Sequence, residues 1–168
     1  MNTLTQPLRD EHKELIPHIE QILIVADSLP DAPQEQIRDG VQEVYEFLAY
    51  HLIPHAQAEE AALYPVVQQV LGSPEATRTM SRDHVEVGRY VEELDELRQD
   101  LSARNTKSLQ RVLYGLYALV KVHFAKEEEV YLPILDRHLT SESAQAMFEA
   151  METAAHAAAC AAKHAAHA

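Results

Sequence analysis

The sequence contains no tryptophan, one cysteine (Cys160) and only four glycines in 168 residues. A single cysteine excludes an internal disulfide, and it counts against a structural zinc site, because such sites usually carry several cysteines. Few glycines and few runs of β-branched residues stand beside an abundance of Ala, Leu, Glu and Gln. This composition predicts an all-α fold.

Basic residues are also scarce, with 14 Lys and Arg against 27 Asp and Glu and a formal net charge of −13. Nucleic acids and anionic membranes bind clustered Lys and Arg, so we expect neither as a partner. No apolar run approaches the ~20 residues of a membrane span. The first residues lack the basic-then-apolar pattern of a secretory signal, so a cytoplasmic protein is expected.

Apolar residues at helical spacing predict four long helices, over about residues 5–28, 33–71, 74–103 and 105–138. Short connections between them favour an up-down-up-down four-helix bundle. We assign residues 1–140 to this bundle and residues 141–168 to an Ala- and His-rich C-terminal helix or tail. Pro17 should kink the first helix and Pro133 should bend the fourth, while Pro54 and Pro65 should interrupt the second.

A short motif, His-x3-Glu-Glu, occurs twice, in residues 55–60 and 123–128, and a proline follows each copy at the same offset. A histidine and a carboxylate four residues apart share one face of a helix. Such groups are rarely buried unless they are paired or bind metal. The first helix of each hairpin adds one histidine, so the predicted metal ligands are His12, His55, Glu59, His84, His123 and Glu127.

Four imidazoles and two carboxylates suit a pair of first-row transition ions. Imidazole fits Zn, Cu, Fe or Ni, whereas bridging carboxylates favour Fe or Mn. Two metals ~3.5–4 Å apart could share Glu59 and Glu127 as bridges. Ferritin-like sites use Glu-x-x-His pairs, and no histidine here has a glutamate three residues before it.

The segments around His12 and His84, together with the two motif copies, resemble the hemerythrin-like HHE cation-binding family over about residues 5–138. The resemblance implies two iron ions in a non-heme di-iron centre, with an oxo or hydroxo bridge and with Glu59 and Glu127 as bridging carboxylates. Relatives in this family bind dioxygen reversibly, sense oxygen or iron, handle peroxide, or take part in nitrosative-stress and iron–sulfur repair responses.

One position departs from the family pattern. Oxygen-carrying hemerythrins have a second histidine one turn after the first on the third helix, and Gly88 stands there in this chain. The departure implies that one iron loses a protein ligand, and an open metal position favours reactivity. Alternatively, Gly88 makes room for another side chain, and His51 is the leading substitute.

Several further residues have both a functional and an ordinary interpretation. Glu60 and Glu128 are either acceptors for ligand imidazoles or solvated surface residues. Tyr114, Tyr117 and Tyr131 are the tyrosine candidates. Each one either lies near the metals and donates a hydrogen bond there, or packs as an ordinary core residue. The tail residues His156, Cys160, His164 and His167 form either a second, weaker metal site or part of a helix that packs or frays.

We therefore expect a non-heme di-iron protein that binds dioxygen or a related small oxidant, as a sensor, store or scavenger. Two alternatives stay open. One is a di-iron enzyme that acts on peroxide or nitric oxide, and the other is a non-catalytic iron-sensing or interaction module. The sequence leaves the oligomeric state open.

Overall fold

The computed structural model of the chain describes residues 3–165. Over this range the chain is helical and contains no strand, which confirms the predicted all-α class. The five helices are α1 (Gln6–Ser28), α2 (residues 34–71), α3 (Arg78–Leu97), α4 (residues 106–138) and α5 (Ser141–Ala165). A short 3-10 turn, Ala103–Asn105, precedes α4. Contacts join α1 to α2, α2 to α3, α3 to α4, and α4 back to α1, so these four helices close a bundle.

Helices α2 and α4 contain wider π-helical turns. In α2, the α-helical segments Gln34–Phe47, Ile53–Ala58 and Tyr64–Leu71 are joined by the π turns Leu48–Leu52 and Glu59–Leu63. In α4, the π turn Glu127–Tyr131 joins Thr106–Lys126 to Leu132–His138. The second residue after each π turn is a proline: Pro54, Pro65 and Pro133.

The π turns correct the expectation that Pro54 and Pro65 interrupt α2. The bend expected at Pro133 stays a prediction. A proline lacks the N–H of an α-helix, and its ring clashes with the carbonyl four residues back. In a π turn the backbone bonds reach one residue further, as from Tyr64 N–H to the Glu59 carbonyl oxygen. The helix therefore continues past each proline. Pro17 lies within α1, which continues without a π turn.

The third helix is shorter than predicted at both ends. Residues 74–77 form turns, in which the Arg78 N–H bonds to the Glu75 carbonyl oxygen, three residues back. Helix α3 then runs only to Leu97. The preceding helix ends as predicted at Gly72, whose φ of 65° places it in the left-handed conformation that favours glycine.

Two hydrophobic clusters fill the interior. One joins the four bundle helices and includes Ile19 and Leu113, and the other includes Leu8, Leu132 and residues of α5. Along α1, His12 lies between Leu8 of one cluster and Ile19 of the other. The polar residue His12 is thus enclosed by apolar packing on both sides along the bundle.

Helix α5 packs along α2 and extends the second cluster. It buries Ala144, Met147 and Met151, each at most 5% exposed. Reciprocal bonds between the backbone and side chains of Thr140 and Ser143 fix its first turn. Within residues 3–165, none of the helices has an apolar stretch long enough to span a membrane.

Candidate metal centre

Six side chains from four helices converge between the hydrophobic clusters. Five of them are at most 4% exposed, and the side chain of His84 is 12% exposed. They come from α1 (His12), α2 (His55 and Glu59), α3 (His84) and α4 (His123 and Glu127). The structure therefore brings together the six residues predicted as ligands, and their binding of metal remains a prediction.

The ligand atoms form two overlapping groups, and within each group the atoms lie within 4.8 Å of one another. The first group comprises His12, His55, Glu59 and Glu127, and the second comprises Glu59, His84 and His123. Glu59 belongs to both: its Oε1 lies 3.0 Å from His55 Nε2, and its Oε2 lies 3.2 Å from His84 Nε2. One carboxylate oxygen faces each group, which is the geometry of a bridging ligand.

Glu127 also faces both sides of the centre. Its Oε2 lies 3.5 Å from His12 Nε2, and its Oε1 lies 3.5 Å from His123 Nε2. The Oε1 atom, however, accepts a hydrogen bond of 3.0 Å from the hydroxyl of Tyr64. The two carboxylates are therefore not equivalent, because only one oxygen of Glu127 lacks a partner among the described residues.

A carboxylate holds the outer nitrogen of each imidazole and turns the Nε2 atom inward. The four Nδ1–carboxylate pairs are His12–Glu128 at 2.8 Å, His55–Glu11 at 2.9 Å, His84–Glu60 at 2.8 Å and His123–Asp83 at 3.2 Å. Such partners fix the tautomer and ring orientation of metal-binding histidines. A neutral imidazole that donates from Nδ1 presents a lone pair at Nε2.

The pairing follows a two-fold pattern. The last glutamate of each motif, Glu60 or Glu128, holds the first-helix histidine of the other hairpin. The acid directly before that histidine, Glu11 or Asp83, holds the motif histidine of its own hairpin. From the sequence, Glu60 and Glu128 were predicted to be either acceptors for ligand imidazoles or solvated surface residues. Glu11 and Asp83 were not predicted as acceptors. An acid directly before a histidine on both first helices was the available signal.

Cations anchor two of these outer carboxylates. Arg9 donates to Glu128 at 2.5 Å and to Asp136 at 3.3 Å, and Lys126 pairs with Asp83. The outer carboxylates are therefore held from both sides, which limits the movement of His12 and His123.

The inner face of the centre lacks polar partners. Among the described residues, no hydrogen bond reaches Nε2 of His12, Nε2 of His55, either oxygen of Glu59 or Oε2 of Glu127. The Nε2 atoms of His84 and His123 lie 3.0 Å apart, although both present lone pairs when Nδ1 donates. Buried polar atoms without partners are costly, and bound metal ions would supply the missing partners. The donor set fits metal ions.

The pKa shifts follow from burial and from the charges in the centre. Burial works to raise the pKa of Glu59, but the charge of His55 and the nearby imidazoles of His12 and His123 hold it well below its usual value. Burial and the Glu59 charge raise the pKa of Glu127. Burial works to lower the pKa of His123, but the nearby carboxylates of Glu127 and Glu59 raise it to about 10. The carboxylates thus attract positive charge, from protons or from metal.

Tyr64 is a further functional candidate that sequence reasoning missed. It is 1% exposed, and its hydroxyl oxygen lies 3.4 Å from Nε2 of both His84 and His123. Burial, then the charges of Glu59 and Glu127, raise its pKa. The equivalent residue of the second motif copy is Leu132, and this difference between the copies was the available signal.

The tyrosines chosen from the sequence lie elsewhere. The hydroxyl of Tyr131 donates to the carbonyl oxygen of Ala76, and those of Tyr114 and Tyr117 donate to Asp27 and Glu20. None of the three is hydrogen-bonded to the predicted ligands.

Gly88 lies one turn after His84, beside open space. A Cβ atom built there meets no heavy atom within 4 Å. His51, the leading substitute for the missing ligand, is exposed, and its ring centroid lies 6.4 Å from that of Phe47. It belongs to neither ligand group of the described residues, and its role as a replacement ligand stays a prediction. The side chain that does approach the second group is Tyr64, through its hydroxyl.

The C-terminal residues do not form a comparable group within the described part of the chain. Cys160 Sγ lies 3.7 Å from His156 Nε2, but His164 turns its Nδ1 to the carbonyl oxygen of Cys160. His167 lies outside the described residues. The interpretation of this stripe as a metal site therefore lacks a third converging ligand.

Comparison with protein-family models gives a match to the hemerythrin HHE cation binding domain over residues 3–135. Searches of curated proteins and of solved structures return no match. The matched range includes all six predicted ligands and ends before α5.

Proposed function

The chain belongs to the hemerythrin HHE cation-binding family, and on this basis we propose that it holds two iron ions and binds dioxygen or a related small oxidant. In this role it acts as a sensor, store or scavenger of the oxidant. His12 and His55, with one oxygen of each glutamate, would hold the first ion. His84 and His123, with the other oxygen of Glu59, would hold the second.

The observation that carries the proposal is the position of Glu59, which is fully buried and directs one unpartnered oxygen at each group. A donor set of imidazoles and bridging carboxylates favours iron or manganese over the softer metals that thiolates select. Two iron ions bound there would supply the redox chemistry that a small oxidant needs.

The two positions differ in a way that supports ligand binding at the second. The first has four protein ligands and the second has three. The Tyr64 hydroxyl, 3.4 Å from both histidines of the second group, is within reach to donate a hydrogen bond to a small ligand there. Around the first position, the Phe124 ring stacks on His12 at 4.3 Å and keeps that side apolar.

The same features favour a second candidate function, turnover of peroxide or nitric oxide. An open metal position beside a hydroxyl group is suited to reaction as well as to binding. Tyr64 is the residue that we expect to separate these functions, because its hydroxyl lies 3.4 Å from both histidines of the second group.

The test is an optical spectrum of the iron-loaded protein, first reduced, then in air, then with peroxide, together with metal analysis. We expect about two irons per chain, in line with the two-metal sites of this type, and a reversible change in air. Clearly fewer irons, or another metal after native purification, would contradict the di-iron proposal. Rapid gas evolution from peroxide would favour the enzyme.

A further inference from the structure

Helix α5 builds a cavity beside the metal centre. The cavity has a volume of about 240 Å³ and lies between α1, α2 and α5. Leu8, Ala58, Phe148 and Met151 form most of its apolar wall. Because α5 lies outside the residues matched to the family, this cavity is a feature of the present chain and not of the matched domain.

Three polar side chains line the cavity, and two of them are carboxylates. His55 is one of the predicted metal ligands, and Glu11 accepts the hydrogen bond from its Nδ1 at 2.9 Å. The side chain of Glu11 is 48% exposed, so its carboxylate accepts the hydrogen bond from His55 and also faces the cavity. Glu152, an exposed residue of α5, is the second carboxylate.

The lining selects a ligand by charge and by shape. It contains no Lys or Arg, and the net charge of the chain is −13, so an anion is disfavoured and a cation favoured. The remaining wall is apolar and suits an apolar body. An apolar cavity of about 150 Å³ binds benzene, so the present volume holds a body of that size with a small charged group.

We propose that this cavity binds a small organic cation, an amine with an apolar body, whose ammonium group pairs with Glu11 and Glu152. The apolar body lies against Phe148 and Met151. This site is separate from the one that would bind the oxidant, and it does not depend on the identity of the metal.

The shared carboxylate links the cavity to the metal centre. Glu11 orients His55, and loss of such an outer partner weakens metal binding by about 10–100-fold. An ammonium group that forms an ion pair with Glu11 competes with His55 for this carboxylate. It therefore lowers the affinity of the first position for metal. By linkage, metal at that position lowers the affinity for the amine by the same factor.

The experiment titrates benzylamine into the metal-free protein and follows the methionine methyl signals by NMR, with benzyl alcohol and benzoate as probes of similar size. We expect a shift of the Met151 methyl signal, assigned with Met151→Leu, and binding of benzylamine at least about tenfold tighter than that of benzoate. Equal binding of the amine and the carboxylate, or an unmoved Met151 methyl signal, would overturn the proposal.

Variants on α5 distinguish binding of benzylamine in the cavity from nonspecific binding elsewhere on the protein. Ala155→Leu places a larger side chain in the cavity and should weaken benzylamine binding by more than about tenfold. Ala157→Leu makes the same change at an exposed position of the same helix and should leave binding unchanged. Glu152→Gln should weaken the amine and not the alcohol. Equal effects of the two leucine variants would contradict the assignment to this cavity.

The coupling is tested by repeating the benzylamine titration after iron loading. We expect the affinity for benzylamine to fall by about 10–100-fold, the same factor by which the amine weakens metal binding. An unchanged affinity would overturn the coupling and leave the cavity site standing. Because the first titration uses metal-free protein, failure of the chain to take up iron would not affect the test of the cavity.

Discussion

Glu59 is the residue on which both halves of the centre depend. It is the only member common to both ligand groups of the described chain, and both of its oxygens lack hydrogen-bond partners there. Glu127 shares one of its oxygens with Tyr64. The two carboxylates, equivalent in the sequence repeat, are therefore expected to contribute unequally to metal binding.

We predict that Glu59→Gln loses both metals, because each metal position loses an anionic oxygen. Glu127→Gln should weaken mainly the first position, where Oε2 of Glu127 lies 3.5 Å from His12 Nε2. The measurement is metal content per chain after dialysis against graded chelator. Retention of one metal with unchanged affinity in Glu59→Gln would show that Glu59 does not bridge.

A pair of histidine variants on one helix tests the assignment of ligands in α2. His55→Gln removes a buried imidazole that is 4% exposed and lies 3.0 Å from Glu59, so metal affinity should fall strongly. His51→Gln changes an exposed residue outside both groups and serves as the matched control. Equal losses in the two variants, measured by metal titration, would mean that the ligands of α2 are misassigned.

The raised pKa of His123 gives the metal-free protein a defined pH dependence. The pKa is about 10 in the folded protein, against a usual value of 6.5. A raised folded-state pKa stabilises the protein fully below the usual value, and this contribution is lost as pH rises through the folded value. We therefore expect the Tm of metal-free protein to fall between about pH 6.5 and pH 10.

Two controls accompany this pH series. His123→Gln should make the decline smaller without abolishing it, because His55 still titrates. Burial works to lower the pKa of His55, but the charge of Glu59 and the hydrogen bond to Glu11 raise it well above its usual value. Metal-loaded protein should not show the decline, because ligand imidazoles bind metal in the neutral form and higher pH favours binding. A decline in Tm that is the same in wild type and His123→Gln would assign the effect to other groups.

At the scale of the elements, the π turns decide which side chains face the centre. The turns Glu59–Leu63 and Glu127–Tyr131 each begin at a predicted bridging glutamate. An extra residue in a turn rotates the following helix by about 100° relative to a regular α-helix. The turn in α2 thereby sets the position of Tyr64 relative to Glu59, and π turns often occur at functional sites.

Pro65→Ala should weaken metal binding while the helix content stays unchanged. The substitution restores a backbone N–H and removes the ring clash, so a regular α turn becomes available in place of the π turn. We expect affinity to fall by about 10–100-fold, the range for a lost outer partner of a metal ligand. Circular dichroism and metal titration measure the two quantities.

Pro17→Ala is the control for this prediction, because Pro17 lies inside α1 where no π turn occurs. It should alter stability and leave metal affinity close to that of the wild type. If Pro65→Ala binds metal as tightly as Pro17→Ala does, the π turn is not needed for the geometry of the site.

At the scale of the whole molecule, α5 packs on the bundle. Its buried face joins Leu8 of α1, Leu63 of α2 and Leu132 of α4 in one hydrophobic cluster. Removal of α5 would uncover these side chains beside the metal centre. We therefore expect α5 to unfold together with the bundle and not as a separate, fraying helix.

Met147→Ala tests the docking of α5. Met147 is 3% exposed, and truncation of a buried methionine typically costs about 2–5 kcal/mol. The measurement is the free energy of unfolding in urea, followed by circular dichroism. Gln145→Ala, at an exposed position of the same helix, should change stability by less than about 0.5 kcal/mol. Equal stability of the two variants would show that α5 is not packed on the bundle.

The sequence by itself determined the helices and the six converging side chains. Helical spacing of apolar residues predicted α1, α2 and α4 closely, and a repeated His-x3-Glu-Glu motif with one histidine per partner helix placed the polar groups on facing helix surfaces. It failed at Pro54 and Pro65, where α2 continues, and at the ends of α3. A proline signals strain in a helix, but whether the helix breaks or widens depends on the packing around it.

Only the tertiary structure decided how the repeat becomes a site. The two motif copies differ at Tyr64 and Leu132, and only their positions in space show that the hydroxyl reaches the second ligand group while His51 stays outside. The crossed pairing of acids and histidines joins residues distant in sequence, so local patterns leave it unspecified. The physical reason is burial: each imidazole takes its outer partner from whichever neighbouring helix supplies a carboxylate within hydrogen-bond distance.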